Sequence, residues 1–201
     1  MKEDVLAPFR FRHACKRFDP NRAVPADDVE TILEAGRLAP SAFGLEHWRF
    51  ILTRNRQRIR ALEKACFGQP QVGTAAAVIA ILARVHDLAP DAPHVARQVL
   101  AMSEPDRRWM GDYYGDFFRA TDIAAWSVGQ CMIAASQMMI AAAMLGVDSC
   151  PIGGFEEGGV RAALGIEANG TSVALILSIG YRAEPQPARH RLPRDELVKE
   201  V

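Results

Sequence analysis

The chain has 201 residues, of which 49% are hydrophobic and 24% charged, so it is long enough for one packed domain and is neither disordered nor fibrous. Its 24 Lys and Arg balance 24 Asp and Glu, and a neutral protein lacks the broad basic face that binding to nucleic acid or to an anionic membrane by counterion release requires. Any anion it holds is therefore small.

The charged, Pro-interrupted start does not read as a signal peptide. The four cysteines, at 15, 66, 131 and 150, show neither a CxxC pair nor the density of a disulfide scaffold. A reducing, cytoplasmic compartment is the expectation.

In chain order, residues 3–11 read as a short helix leading into a basic stretch, and Phe18-Asp19-Pro20-Asn21 reads as a turn. The next helix has Pro25 near its first turn, acidic Asp27, Asp28 and Glu30 at its start, and Val29, Ile32, Leu33 and Gly36 on one face. Pro40 ends it, residues 40–47 form a loop, and residues 48–52 form a strand. A helix over residues 56–66 follows, with Ile59, Leu62 and Ala65 spaced to pack together. Residues 75–83, apolar without polar alternation, read as a buried strand. Residues 84–105 hold three prolines and read as mostly loop.

Residues 107–119 gather five aromatic side chains, among them Trp109. Residues 123–147 contain no Asp, Glu, Lys or Arg and are long enough to span a bilayer. Reliance on Ala, with Ser127, Gln130, Ser136 and Gln137 at mid-segment, argues instead for a helix buried in a core or between subunits, with Gly146 as its C-cap. Residues 149–155 read as a Gly-rich turn, 156–165 as a short helix and 172–180 as a final strand. The Pro-rich, charged tail belongs on a surface, this subunit's or a partner's. No repeat or linker is visible, so residues 1–201 are expected to form a single domain.

Two basic clusters stand out in this neutral chain. Arg10, Arg12, His13, Lys16 and Arg17 lie within eight positions. Arg12 and Lys16 on a turn could converge on one phosphate, or simply form a solvated basic face. Arg189 and Arg191 sit on alternate positions of a Pro-flanked segment, so in extended chain they point the same way. A tail folded back on the N-terminal turn would make the two clusters into a closed clamp. No GxGxxG, GxxxxGK[ST] or GxSxG is present, and the five histidines show no metal-ligand spacing, so no metal is expected. Cys15 lies beside cations that could lower a thiol pKa, although a plain structural cysteine is the commoner outcome.

The stretches RHACKRFD, LAPSAFGLEHWRF and LGVDSCPIGGF, followed by an RxRL near the end, resemble in order and spacing the nitroreductase family of FMN-dependent NAD(P)H oxidoreductases. The resemblance runs nearly the full length. It implies an α+β fold, a mostly antiparallel central sheet flanked by helices, in an intertwined homodimer. Two FMN would lie at the interface, and the C-terminal tail would reach across to the partner.

By that resemblance Arg12, His13, Ala14 and Lys16 match the first FMN-binding stretch, and Arg189 and Arg191 match a second phosphate pair. Pro40, Ser41 and Ala42 match a loop laid by the neighbouring subunit against the isoalloxazine. Pro151, Ile152, Gly153 and Gly154 match the segment along the flavin ring, where a reactive N5 needs an in-plane amide and an open face, and glycines supply both. Gln69 and Gln71 are candidates for the pyrimidine edge. Tyr113, Tyr114, Phe117 and Phe118 are candidates for a substrate lid.

The resemblance implies a ping-pong cycle. NADH or NADPH gives hydride to flavin N5, and a small acceptor such as a nitroaromatic, quinone or enone takes the electrons. No side chain is needed as obligate acid or base, so no catalytic residue is named. Departures from the pattern are Ala14 where serine is common, Glu46-His47 before Trp48 where Gln-Pro is common, and Gly153 where some members carry glutamate. They leave a second reading open: a flavin- or effector-binding module without turnover.

Overall fold

The computed structural model describes residues 2–201. Four strands, β1 (Trp48–Thr53), β2 (Ala77–Arg84), β3 (Asp148–Ile152) and β4 (Thr171–Gly180), form one sheet in the order β1-β2-β4-β3. Every neighbouring pair is antiparallel. The helices around it are α1 (Lys2–Phe11), α2 (Ala26–Arg37), α3 (Arg56–Ala65), α4 (Pro70–Gly73), α5 (Pro93–Leu100), α6 (Glu104–Ala120), α7 (Ile123–Met144), α8 (Glu157–Leu164) and α9 (Arg194–Leu197). This is the α+β arrangement, an antiparallel sheet flanked by helices, that the resemblance implies.

β2 shows why the apolar run at its position lacks polar alternation. Ala77, Ile79, Ile81 and Ala83 face one buried cluster, which also contains Val29 and Ile32 of α2 and Ala134, Ala135 and Met138 of α7. Val78, Ala80 and Leu82 face a second cluster with Ile59 and Leu62 of α3 and Val160 and Leu164 of α8. Both faces of the strand are covered, so the period of two separates two cores instead of core from water. A third cluster, built on Leu45, Leu88, Val95, Met110, Tyr114 and Ile123, sits beneath α5 and α6.

Two segments differ from the sequence expectation. Residues 84–105, read as loop, contain α5 and the start of α6. Pro93 and Pro105 occupy the first turns of these helices, where the missing N–H costs nothing and the fixed φ assists. Residues 149–155, read as a turn, begin as strand β3, paired Asp148 to Gly180 through Ile152 to Ile176. Pro151 is tolerated because β3 is an edge strand with no ladder on its outer side.

α7 is the helix long and apolar enough to cross a membrane by length and composition. It instead packs on α1, α2 and the sheet. Asp122 caps it by accepting from Ala125 N at 3.0 Å, and Gly146 beyond its end takes φ +72°, the left-handed geometry of a helix stop.

α2 and α7 approach closely because Gly36 has no side chain. A Cβ there would lie 2.8 Å from Met138 Cγ and Sδ and 3.0 Å from Phe50 Cζ. Gly36→Val should therefore destabilise the protein by about 2 kcal/mol, the overpacking cost exceeding the few tenths gained from helix propensity. The expected signature in urea unfolding is a lower midpoint at unchanged slope.

Candidate functional site

The two ends of the chain meet. Asp19 N donates to Tyr181 O at 2.7 Å, Phe18 bridges Arg182, Ala183 N donates to Arg17 O at 3.0 Å, and Gln186 Nε2 donates to Phe11 O at 2.6 Å. The tail thus runs antiparallel along residues 9–19 of its own chain. The resemblance implies a tail reaching a partner, whereas residues 181–189 lie along the N-terminal stretch of their own chain. On its other side that stretch adds to β3, through the Ala14–Ser149 parallel bridge and Cys15 N donating to Ser149 O at 3.1 Å.

Arg189 does a job the sequence did not suggest. Its guanidinium donates to Phe9 O at 2.7 Å and Arg10 O at 3.3 Å, and also to Arg12 O. These are carbonyls at the C-terminal end of α1, which a helix leaves unpaired and which carry its partial negative charge. Arg189 is therefore the cap that fastens tail to helix.

Arg12 is the opposite case. Its half-buried guanidinium makes no hydrogen bond or ion pair among the described residues, and burial together with the like charges of Arg189 and Arg191 holds it below its usual pKa range. A cavity of about 540 Å³ opens beside it, lined by Arg12, His13, Ala14, Arg189, His190 and Arg191 among others. Burial also lowers the pKa of His13, against the raising effect of Asp148. Lys16 is exposed; burial pushes the Cys150 thiol up, against the smaller lowering pull of Lys16 and Arg12. Cys15 is buried, its Sγ 3.2 Å from Arg17 O, and burial pushes its pKa up to about 11. It is the structural cysteine, despite its cationic neighbours.

Gly153 and Gly154 follow directly from β3. Gly153 is exposed, and a Cβ on it would meet nothing within 4 Å. Gln69 Nε2 donates to Gly154 O at 3.0 Å, and the buried Gln71 donates through Nε2 to Gln69 Oε1 at 2.7 Å. The two glutamines are thus brought to this segment, Gln71 lying behind Gln69. Pro151 is partly exposed, whereas Ile152 puts its side chain in the second core cluster and leaves only backbone for the site. From Ser149, beside the clamp, to Gly153 is roughly 13 Å at the usual rise of a strand. The residues present fit a phosphate-bearing flavin: an unpaired guanidinium at one end of β3 and open backbone amides at the other.

Pro40, Ser41 and Ala42 lie elsewhere. They precede β1, and β1 and β3 are opposite edges of the sheet, so one chain does not bring this loop to the clamp. The loop is held in a tight shape, with φ of +56° at Phe43, +62° at Gly44 and +45° at Glu46. Ala42 N donates to Gln130 Oε1 at 2.8 Å, and Glu46 N donates to Ser41 Oγ at 2.9 Å. The fully buried His47 sits 3.4 Å by Nε2 from Ala42 O and 3.3 Å by Nδ1 from Ser127 Oγ, with Trp126 edge-on at 4.4 Å. A carbonyl only accepts, so Nε2 carries the proton and Nδ1 accepts from the hydroxyl. Burial lowers the His47 pKa to about 4. Ser127 and Gln130, visible in the sequence only as polar interruptions of an apolar helix, thus hold this loop.

The aromatic segment is now α6. Tyr114 is buried and donates to Leu88 O at 2.7 Å, while Phe117 and Phe118 pack partly buried against the same cluster. Tyr113 remains exposed, stacked on Trp109 at 5.2 Å. Phe43 joins this layer to the strained loop, 5.5 Å from Trp109 and 5.2 Å from Phe117.

Comparison with known proteins places the chain in a family. The family model described as the nitroreductase family matches residues 9–181. "Putative NAD(P)H nitroreductase YfkO" of Bacillus subtilis is 34% identical, over 100% of this chain and 99% of its own. Among solved structures, a nitroreductase-like protein from Streptococcus mutans superposes with a TM-score of 0.86 at 22% identity, covering 100% of both chains. A nitroreductase from Exiguobacterium sibiricum, named as putative and crystallised in complex with FMN, superposes at 0.82 with 23% identity, over 98% of this chain and 96% of its own. With a family match over most of its length and a relative above 30% identity along its whole length, the chain belongs to the nitroreductase family.

Proposed function

We propose that this chain is an FMN-dependent NAD(P)H oxidoreductase that passes reducing equivalents to a nitroaromatic, quinone or related small acceptor by a ping-pong sequence. The observation that carries the reading is Arg12: a half-buried guanidinium without a partner among the described residues, pressed by two like charges at the mouth of a cavity. Such charge is stabilised by a dianion, and a phosphate ester placed there could extend along β3 to Gly153.

FMN, when bound, supplies hydride acceptance and donation at N5. The chain's part is to bind and orient. Arg12 and Arg191 hold the phosphate end, with the Ala14 backbone N–H in place of a hydroxyl ligand, and Lys16 lies toward the ribityl chain and the pyrimidine edge. The amides of Gly153 and Gly154 line the ring segment without side chains over its face. Gln69, fixed by Gln71 and by Gly154 O, presents an amide to the ring edge.

A second copy of the chain fits this reading, because the loop of Pro40, Ser41 and Ala42 can reach the flavin only from a neighbour. Apolar surface is available for such pairing at Phe9 and at Met132, Ile133 and Met144 of α7, all exposed in the single chain. Of the four lid candidates on α6, Tyr113 is the exposed one and could cover an acceptor, with Tyr114, Phe117 and Phe118 supporting it from the core.

The test is an absorption spectrum of the purified protein before and after NADH or NADPH under anaerobic conditions. The expected result is a flavin spectrum that bleaches with reductant and returns when a nitroaromatic or quinone is added. Protein that stays colourless after incubation with FMN overturns the proposal, and flavin that no reductant bleaches favours the binding module instead.

A further inference from the structure

Behind the clamp lies a buried carboxylate that no function described so far uses. Asp148, the first residue of β3, has a side chain only 3% exposed. Its Oδ2 accepts from Arg182 N at 2.8 Å and Arg182 Nε at 3.0 Å, and its Oδ1 lies 2.7 Å from Arg182 Nη2 and 3.7 Å from His13 Nδ1. Arg182 in turn lies over the Phe11 ring, 4.4 Å from its centroid. One carboxylate therefore holds the root of the tail, through Arg182, and faces the residue next to Arg12, through His13.

A buried ion pair is a poor source of net stability, because desolvating both charges offsets most of their attraction. Its geometry is nonetheless specific. Asp148 accepts from Arg182 Nε and from the backbone N–H of the same residue, with Nη2 in ionic contact beside them, which fixes the direction in which the tail leaves β4. The tail then runs to Gln186 and Arg189, which fasten to Phe11 and to the end of α1. We propose that Asp148 is a positioning residue for phosphate recognition: through Arg182, and with His13 beside it, it sets the spacing between the Arg12 arm and the Arg189–Arg191 arm of the clamp. This rests on the reading of the clamp as an FMN phosphate site.

Positioning and plain electrostatics make opposite predictions here. Asp148→Asn removes a negative charge close to an anion site, so charge alone would tighten FMN. Arg182→Lys keeps the charge but loses the fork and the flat face over Phe11, so charge alone would leave FMN unchanged. Loss of positioning weakens FMN in both.

The experiment is fluorescence titration of full-length, flavin-free protein with FMN and with riboflavin, which lacks the phosphate. We expect both variants to bind FMN about tenfold more weakly, the order of one misdirected charge-assisted hydrogen bond, with riboflavin affinity within twofold of wild type. Circular dichroism reports folding, and if Asp148→Asn does not fold, the partly exposed Arg182→Lys decides alone.

FMN binding that is unchanged in Arg182→Lys, or tighter in Asp148→Asn, overturns the proposal, as does an equal loss of FMN and riboflavin, which would mark general damage. Wild-type protein that takes up FMN while the variants match it sinks the positioning role alone. Wild-type protein that takes up neither flavin sinks the flavin site as well.

Discussion

Arg12→Ala raises the dissociation constant for FMN about a hundredfold, the order expected when a forked, charge-assisted contact to a dianion is lost from a half-buried site. Riboflavin keeps its wild-type affinity, because it has no phosphate to lose. In the flavin-free chain Arg12 has no acceptor among the described residues, and Arg189 and Arg191 repel it, so its removal costs the fold little and relieves like-charge repulsion. Nearly all of its contribution is then available to a ligand.

Arg189→Ala should behave differently. That side chain caps α1 through the carbonyls of Phe9 and Arg10, so its loss weakens FMN and also frees the tail, which limited proteolysis reads as faster cleavage beyond residue 183. Titration in rising salt adds a check, since a contact at the protein surface is screened within about 8 Å at physiological ionic strength. An Arg12→Ala protein with unaltered FMN affinity would show that the cavity is not the phosphate site.

How much of this was legible beforehand follows from the range of the interactions. The helices over α2, α3 and α7 and the strands β1, β2 and β4 were readable because periodicity and caps are local properties of the chain. α5 is hidden because its proline reads as a breaker, although a first helical turn tolerates it, and β3 is hidden because Gly153 and Gly154 read as a turn, although they only follow the strand's end. The meeting of Arg12 with Arg189 was suggested by charge placement and by family motifs, but Arg189's role as a helix cap depends on where α1 ends in space.

His47, Gln130, Asp148 and Arg182 were not assigned roles at all. Their partners lie tens of residues away: Ala42 for Gln130, Ser127 for His47, and Asp148 for Arg182. A lone amide or carboxylate in an apolar segment signals that a partner exists without naming it.

His47 gives the chain an acid lability that begins well above the range of ordinary carboxylates. In the folded protein its pKa is about 4, because the ring is buried against Trp126; in the unfolded chain it is near 6.5. Between those values the unfolded state holds the proton and the folded state does not, so stability is complete above about pH 6.5 and falls as the pH drops toward 4. The difference corresponds to about 3 kcal/mol once the folded pKa is passed. Burial also lowers the His13 and His94 pKa values, which adds loss of the same sign, so the wild-type slope alone does not isolate His47.

His47→Gln does isolate it. A glutamine amide can donate to Ala42 O and accept from Ser127 Oγ, yet it does not titrate. Urea unfolding at pH 7.5 and pH 4.5 should show similar stability for the two proteins at the higher pH, and a drop about 2.5 kcal/mol smaller for His47→Gln at the lower, where the folded pKa is not yet passed. The protonated ring would turn the Ser127 hydroxyl from donor to acceptor and carry a charge inside the protein, so the strained loop of Phe43, Gly44 and Glu46 is where the structure should open first. Faster amide exchange in residues 41–47 of the wild type at pH 4.5, absent in His47→Gln, is the matching local signature. Equal pH slopes in the two proteins would place the titrating group elsewhere and leave this loop held by Gln130 and Ser41 alone.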